Sequence, residues 1–244
     1  MTSTGWVVAV TGASGGLGAS TLACGIAGVA ARLGLRTCVV DASPRAGGLN
    51  VTAAVEHEPG LRWDDLAQAR GAFEGQRLVD ALPRVPDGPA VLSFSGLVYA
   101  GDPGAETVSA ALRALAGACD LVVLDRPPRG LPLSPQLCAE LDPWVLLLAG
   151  ARPQQLADAA AYARRADDRT PPAGLVVRGA PRESAQHRQV AAELGLPWWG
   201  SWGHERRVRA DARAGVAPGG SAQVRRLTQT LLEQLVRSSS TGAA

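Results

Sequence analysis

Short apolar runs alternate along the chain with longer stretches in which apolar residues recur every three or four positions. Runs of the first kind are typical of buried strands, and stretches of the second kind are typical of helices that bury one face. The predicted strands are 7–10, 37–40, 91–95, 121–124, 144–148, 175–177 and 198–202. The predicted helices are 20–34, 61–70, 75–82, 104–118, 134–141, 154–165, 183–193, 205–213 and 221–237, and residues 51–59 fit neither pattern. This alternation predicts an α/β fold, with a doubly wound, mostly parallel sheet flanked by helices.

The length and composition are those of a globular protein. The 244 residues are 46% hydrophobic and 19% charged, and a chain of this length can form one α/β domain. We expect a single domain over residues 1–237 and a disordered tail over 238–244. No apolar run approaches the roughly 20 residues of a membrane-spanning helix, and the N-terminus lacks the features of a signal peptide. The sequence therefore favours a cytoplasmic protein.

The 24 basic residues are all arginine, so any mechanism that requires a lysine is excluded. The four cysteines form no CxxC pair and the three histidines lie far apart, which predicts buried thiols and no metal cage built from them. Residues 123–244 contain 16 Arg against 11 acidic residues (+5), and residues 1–122 contain 8 against 11 (−3). Because the arginines are interleaved with acids, the charge pattern favours a solvated surface over a nucleic-acid-binding face.

One stretch, VVAVTGASGGLGASTL at 7–22, passes from a predicted strand through a glycine-rich turn into a helix. Glycine permits positive φ and lets the backbone approach a ligand closely. The free N–H groups at the start of the following helix attract a phosphate. The stretch therefore predicts binding of a ligand that carries phosphate.

Read from Thr11 to Gly18, the letters TGASGGLG resemble the TGxxxGxG cofactor turn of short-chain dehydrogenases. An active member of that family needs a tyrosine followed four residues later by a lysine, and neither Tyr99 nor Tyr162 is followed by one. This resemblance implies at most an inactive dinucleotide binder, which we keep as an alternative.

Read from Ser14 to Thr21, the letters SGGLGAST resemble the deviant Walker A motif KGGxGKTT of the MinD and ParA superfamily. Further stretches resemble that superfamily in the same order. CVVDAS at 38–43 is similar to its switch I strand, DLVVLDRPP at 120–128 to its Walker B and switch II stretch, and LDPWVLLL at 141–148 to a later strand. The phrases GGLGASTLA and PGLRWDDLAQARG are similar to CpaE and TadZ proteins, in particular the septum-site-determining branch. Many of these carry a receiver-like domain, which we expect to be absent because the first strand begins at Gly5-Trp6.

The resemblance implies a site for ATP or ADP with Mg²⁺. Its nucleotide-binding residues would be Ser14, Gly15, Gly16, Leu17, Gly18, Ala19, Ser20 and Thr21. Ser20, Asp41 and Asp125 would hold the metal, partly through water, and the two aspartates would be the catalytic residues of any hydrolysis. Ser14 and Ala19 stand where the family has lysines. Because such cations offset transition-state charge, the resemblance implies weak or vestigial nucleotide binding with little or no hydrolysis.

An active ATPase in which arginine replaces lysine is a second alternative. Arg45, Arg126 and Arg129 belong to loops that would face the phosphates, where they could bind phosphate or be ordinary surface charges. Trp202 could stack on a base, although its strand favours packing in the core. The final helix resembles the membrane-targeting tail of MinD, but it lacks bulky aromatic residues, which favours packing on the sheet.

The resemblance also implies a biological role as a localisation or assembly factor for cell division or for pilus and secretion machinery. Members of the superfamily act as dimers, so a homodimer is expected, with division proteins or Tad-type pilus and secretion proteins as partners. Membrane contact would be at most peripheral. A cytoplasmic protein of this kind could be recruited to the septum or to a cell pole.

Overall fold

A computed structural model describes residues 5–43, 48–96, 103–127, 131, 133–165 and 172–241. Over these residues the strands are β1 (Trp6–Gly12), β2 (Thr37–Asp41), β3 (Ala90–Leu92), β4 (Leu121–Asp125), β5 (Trp144–Gly150), β6 (Pro172–Arg178) and β7 (Trp198–Trp202). The helices are α1 (Ala19–Arg32), α2 (Leu49–Thr52), α3 (Trp63–Leu66), α4 (Gly75–Ala81), α5 (Ala105–Ala118), α6 (Pro135–Leu141), α7 (Pro153–Arg165), α8 (Ser184–Glu193), α9 (Arg206–Arg213) and α10 (Ala222–Thr241). A 3₁₀ turn covers Pro181–Glu183.

The seven described strands form one sheet in the order β3-β2-β4-β1-β5-β6-β7, and all six pairings between them are parallel. Parallel strands need crossover connections, and the crossing helices bury both faces of the sheet. Val8 and Val10 of β1 belong to the core beneath α1 and α10, whereas Val7 and Ala9 belong to the core on the α5 side. The predicted α/β, doubly wound, parallel architecture is confirmed.

Two elements are shorter than the sequence predicts. The helix expected over 61–70 is the single turn α3, closed at its start by the Arg62 amide, which donates to Asp65 Oδ2 at 2.7 Å. The strand expected over 91–95 ends at Leu92, because the next residue, Ser93, turns its hydroxyl to Asp41 Oδ2 at 2.9 Å. In both places a polar side chain forms a hydrogen bond with the backbone or with a neighbouring carboxylate. The spacing of hydrophobic residues does not predict such bonds.

Helix α10 continues past the boundary predicted at 237 and ends at Thr241. The Ser238 hydroxyl donates to the carbonyl of Leu235 at 2.8 Å, a contact compatible with continued helix. Residues 242–244 lie outside the described residues. The apolar stripe of this helix (Val224, Leu227, Leu231 and Leu235) is buried in the core shared with α1. The final helix therefore packs on the sheet, as the sequence favours.

In the part of the chain that the structure describes, no helix combines the length and the apolar character needed to cross a membrane. The four cysteines (Cys24, Cys38, Cys119 and Cys138) are buried, as predicted, and none of them forms a disulfide bond.

Candidate nucleotide-binding site

The glycine-rich turn leaves β1 at the carboxyl edge of the sheet. Two of its glycines have positive φ, 73° at Gly16 and 89° at Gly18, which side-chain-bearing residues rarely adopt. The Ala13 amide donates to the Leu148 carbonyl at 2.9 Å, which ties the start of the turn to β5. A Cβ at Gly15 or Gly16 would meet no atom within 4 Å, so this side of the turn faces open space. The turn thus presents its backbone to a ligand.

Helix α1 starts directly after the turn, and its first intrahelical bond runs from the Leu22 amide to the Gly18 carbonyl. Gly18 occupies the N-cap and no side chain caps the helix. The amides of the first turn are therefore not bonded by a capping side chain, and the helix dipole places partial positive charge at this point. This is the local arrangement that binds phosphate.

An open cavity of about 500 Å³ lies over the turn and the ends of β2 and β4. Its wall includes every nucleotide-binding and metal-binding residue that the sequence predicts: Ser14, Gly15, Gly16, Leu17, Gly18, Ala19, Ser20, Thr21, Asp41 and Asp125. Gly12, Ala13, Ser43, Gly48, Leu49, Thr52 and Pro127 complete the lining. The structure therefore brings residues from three separate stretches of the sequence together at one site.

Asp41, at the end of β2, is 1% exposed and accepts three hydrogen bonds. Its carboxylate receives the amides of Ser43 at 2.8 Å and Leu49 at 3.0 Å, and the hydroxyl of Ser93 at 2.9 Å. Burial raises the pKa of Asp41, although these donors partly oppose the rise. Because its oxygens are already bonded to the chain, Asp41 anchors the start of α2 beside the cavity and is suited to a metal contact through water.

Asp125, at the end of β4, is 6% exposed and lies directly across from Asp41 in the β2–β4 register. The pKa of Asp125 is raised to about 6, chiefly by burial and to a smaller extent by the nearby charge of Asp41, while a hydrogen bond from the Ser20 side chain opposes the rise. A buried pair of carboxylates beside a hydroxyl is a set of oxygen donors that Mg²⁺ prefers, and a divalent ion would relieve their repulsion. The residues present therefore fit Mg²⁺, which Ser20, Asp41 and Asp125 would hold, partly through water.

Among the described residues, the cavity lining contains two carboxylates and no basic residue. Arg126 follows β4 and donates its backbone amide to the Val10 carbonyl at 3.0 Å, but it does not line the cavity. Arg45 and Arg129 lie outside the described residues. Within the described lining, the phosphate-binding groups are therefore backbone amides and hydroxyls.

Ser14, at the first lysine position of the motif, is bonded within its own chain. Its hydroxyl donates to Asp158 Oδ2 of α7 at 2.7 Å, and the other oxygen of that carboxylate accepts from Gln154 Nε2 at 3.2 Å. A negative charge thus stands beside the turn where the superfamily motif has a positive one. This contact holds the turn against α7.

Trp202 packs against the glycine-rich turn and does not reach the cavity. It is 1% exposed, does not line the cavity, and its ring lies 3.3 Å from the position of a Cβ at Gly18. The Arg178 guanidinium stacks on the same ring at 3.8 Å and donates to the Gly203 carbonyl at 2.9 Å. Trp202 is therefore a packing residue in this structure, and the sequence preference for the core over base stacking holds.

Three contributors to the site escape sequence reasoning: Ser93, Asp158 and Arg178. Ser93 directly follows β3, Asp158 belongs to α7 and Arg178 to β6, and they reach the site only through tertiary contacts. Arg178 does carry one signal, since it directly follows the predicted strand 175–177, and ligands of parallel α/β sheets bind at the carboxyl ends of strands. Ser93 falls within the predicted strand 91–95. Asp158 lies within a helix and carries no such signal.

Substituting Gly18 is expected to destabilise the protein. Gly18→Ala places a side chain at φ 89° and against the Trp202 ring, so we expect the free energy of unfolding to fall by about 1–2 kcal/mol in urea denaturation. The control is Gly117→Ala in α5, where a Cβ meets no atom within 4 Å. That change is expected to raise the unfolding free energy by about 0.5 kcal/mol. Equal effects of the two substitutions would contradict the described turn.

No protein-family model matches the chain. Two curated proteins of Mycobacterium tuberculosis, the uncharacterized proteins MT3760 of strain CDC 1551 and Rv3660c of strain H37Rv, are each 36% identical to it over 193 residues. The match covers 79% of this chain and 53% of each relative. The chain therefore spans about half the length of the curated relatives it matches.

Solved structures of MinD and ParA ATPases are similar to the structure of this chain over nearly its whole length. The ParA family ATPase of Chlorobium tepidum gives a TM-score of 0.72 at 16% identity, covering 95% of this chain and 98% of that one. The MinC:MinD cell division complex of Aquifex aeolicus gives 0.71 at 17% identity, covering 93% and 96%. MinD of Pyrococcus horikoshii, solved with Mg-ADP, gives 0.71 at 14% identity, covering 94% and 96%. The chain therefore has the MinD/ParA-type P-loop NTPase fold.

Proposed function

We propose that the protein is a localisation or assembly factor of the CpaE, TadZ and septum-site-determining kind, which binds ATP or ADP with Mg²⁺ weakly and hydrolyses it slowly or not at all. One observation carries the proposal. The glycine turn, the start of α1, Ser20, Asp41 and Asp125 line a single cavity, and among the residues that the structure describes no basic residue stands in that lining. The groups that bind phosphate through the backbone are present, while the two lysines of the motif, which offset transition-state charge, are replaced by Ser14 and Ala19.

The absence of the two motif lysines determines how strongly nucleotide is expected to bind. Charge-assisted hydrogen bonds are worth about 1.5–3 kcal/mol each, so the loss of two contacts lowers affinity by orders of magnitude. Two carboxylates with no counter-charge in the described part of the lining also repel a polyphosphate. Ser20, Asp41 and Asp125 would hold Mg²⁺, partly through water, and the charge of the ion would offset part of this repulsion. We therefore propose that nucleotide binding requires the metal.

The proposed biological role rests on two supports. The fold is that of the solved MinD and ParA proteins, and the motif wording is similar to CpaE and TadZ proteins. We propose a homodimer that recruits cell-division or Tad-type pilus and secretion proteins, at the septum or a cell pole. The solved MinD of Aquifex aeolicus, which is in a complex with MinC, is an example of a division protein with this fold and a protein partner.

Two other functions would give different ligand preferences. An active ATPase that uses arginine in place of lysine would bind the same nucleotides and turn them over. An inactive dinucleotide binder of the short-chain-dehydrogenase kind would bind NAD(P) without metal. Nucleotide preference separates the third possibility from the first two, and turnover separates the first two from each other.

The test is calorimetric titration of the protein with ATP, ADP and NADP, each with and without Mg²⁺. We expect Mg²⁺-dependent binding of the adenine nucleotides with a Kd of about 0.1 mM or weaker and no metal-dependent binding of NADP. Asp125→Asn should abolish the metal dependence, because it removes a charged oxygen donor. The matched control is Asp120→Asn, at the residue directly before the same strand, where the carboxylate pairs with Arg36 at 3.0 Å. This change should leave nucleotide binding unchanged.

Each alternative has its own contradicting result. Binding of NADP alone would replace the proposal with the dinucleotide binder. Phosphate release at the rate of ordinary MinD-type ATPases, abolished by Asp125→Asn, would replace it with the active enzyme. No binding of any nucleotide at millimolar concentration would reduce the site to a structural remnant.

A further inference from the structure

The two edges of the sheet differ in whether a neighbouring segment pairs with the outer strand. At the β3 edge, the Val91 amide donates to the Pro83 carbonyl at 2.8 Å, and Arg84 forms an antiparallel bridge with Ala90. The segment before β3 thus covers its outer side. At the other edge, β7 pairs with β6, and no second strand among the described residues pairs with it. An uncovered edge strand presents unpaired N–H and C=O groups that can accept another strand.

A groove of about 240 Å³ runs along this uncovered edge. Trp198, Trp199, Gly200 and Ser201 of β7 form its floor. Ser184 of α8 forms one wall, and Gln223, Arg226, Leu227 and Thr230 of α10 form the other. The two helices therefore flank the strand edge without covering it. A groove with a strand edge as its floor is the shape that receives one extended segment.

The charge of the groove indicates what kind of segment fits. Arg226 is the one charged residue in the lining, and it is exposed. Arg188 of α8, also exposed, places its guanidinium 5.0 Å from the centre of the Trp198 ring. Arginines thus stand on both sides of the edge, and no carboxylate lines the groove among the residues that the structure describes. A second copy of this chain would bring its own arginines against them, whereas an acidic segment would be attracted.

We propose that the β7 edge is a docking surface for an acidic, extended segment of a partner protein, which adds to the sheet as an eighth strand. Its backbone would pair with β7, and its glutamate or aspartate side chains would meet Arg226 and Arg188. Backbone pairing supplies affinity in this mode of recognition, and the side-chain contacts supply specificity. In the described part of the chain, the surface shares no lining residue with the nucleotide cavity.

The test uses the whole 25.1 kDa chain and three capped hexapeptides. The first alternates glutamate with valine, the second alternates lysine with valine, and the third is the glutamate peptide with an N-methyl group on every backbone amide, so that neither of its edges can donate a hydrogen bond. Binding is followed by amide chemical shifts and by hydrogen exchange. We expect the first peptide to shift and protect amides of β7, and we expect the other two to bind at least about tenfold more weakly.

A pair of charge-reversal variants separates the groove from its surroundings. Arg226→Glu is expected to weaken binding of the glutamate peptide by about tenfold. Arg225→Glu, the neighbouring exposed arginine of α10 that does not line the groove, is the matched control and should change affinity less than about threefold. Both residues are exposed, so neither change is expected to unfold the protein.

Four results would overturn the proposal. Equal binding of the N-methylated peptide would exclude strand pairing, and equal binding of the lysine peptide would exclude an acidic partner. No saturable shift in β7 up to roughly 2 mM peptide would exclude the surface as a docking site for short strands. Dimerisation of the free chain through protected β7 amides would assign the edge to a second copy instead.

Discussion

Asp125→Asn is expected to raise the free energy of unfolding by about 2 kcal/mol at pH 7.5 in the absence of Mg²⁺. The pKa of Asp125 is raised from its ordinary value of 3.8 to about 6, chiefly by burial. The folded state therefore holds this proton more tightly than the unfolded state does. Ionisation costs stability as the pH rises from about 4 through 6, and the amide of asparagine avoids that cost.

The pH dependence makes this prediction specific. Urea denaturation in the presence of EDTA should give nearly equal stabilities for the wild type and Asp125→Asn at pH 4, with the difference complete above about pH 7. The control is Asp120→Asn at the other end of β4, where hydrogen bonds from Arg36 lower the pKa of the carboxyl. That exposed pair stabilises the ionised form, so its removal should cost a few tenths of a kcal/mol at pH 7.5. A stability difference for Asp125→Asn that is the same at both pH values would contradict the proposed cost of burying the charge.

Ala19→Lys is expected to strengthen binding of Mg-ATP by about tenfold to a hundredfold, since it returns a charge-assisted phosphate contact worth roughly 1.5–3 kcal/mol. Ala19 is the first residue of α1 and lines the cavity between the glycine turn and Ser20. A lysine at this position can extend along the turn toward the phosphates. The measurement is calorimetric titration with ATP and Mg²⁺.

The matched control for this change is Ala105→Lys. Ala105 is the first residue of α5, so both variants place a cation at a helix N-terminus and carry the same unfavourable interaction with the helix dipole. Ala105 does not line the nucleotide cavity. Equal affinities in the two variants would show that the turn does not bind phosphate, because added net charge would then account for the whole effect.

The sequence predicts those residues of the cavity that are consecutive or that end a predicted strand. Ser14 to Thr21 are consecutive, so their grouping requires only a strand, a turn and a helix. Asp41 and Asp125 each end an apolar run, and parallel pairing brings strand ends to one edge of the sheet. The parallel sheet itself follows from the alternation of apolar runs and amphipathic stretches. These inferences need no knowledge of tertiary contacts.

Other features depend on contacts that no spacing encodes. The hydroxyl of Ser93 fixes the Asp41 carboxylate and ends β3 early, so a strand predicted from apolar residues is too long. Asp158 lies on a helix far along the chain, and its bond to Ser14 arises only when α7 packs beside the turn. The uncovered edge of β7 is likewise a property of sheet order, which the apolar pattern of a single strand does not reveal.

The contact between Gly18 and Trp202 also affects the order in which parts of the chain fold during synthesis. The ring that supports the turn belongs to the last strand of the sheet, so the turn near the N-terminus lacks its support until the C-terminal part of the chain has left the ribosome. Contacts between distant segments of this kind slow folding, because a large loop must close before they form. A nascent chain that stops before β7 should therefore leave the turn exposed to proteases, even with β1 and α1 already synthesised. Competence to bind phosphate would then be among the last properties that this protein gains as it folds.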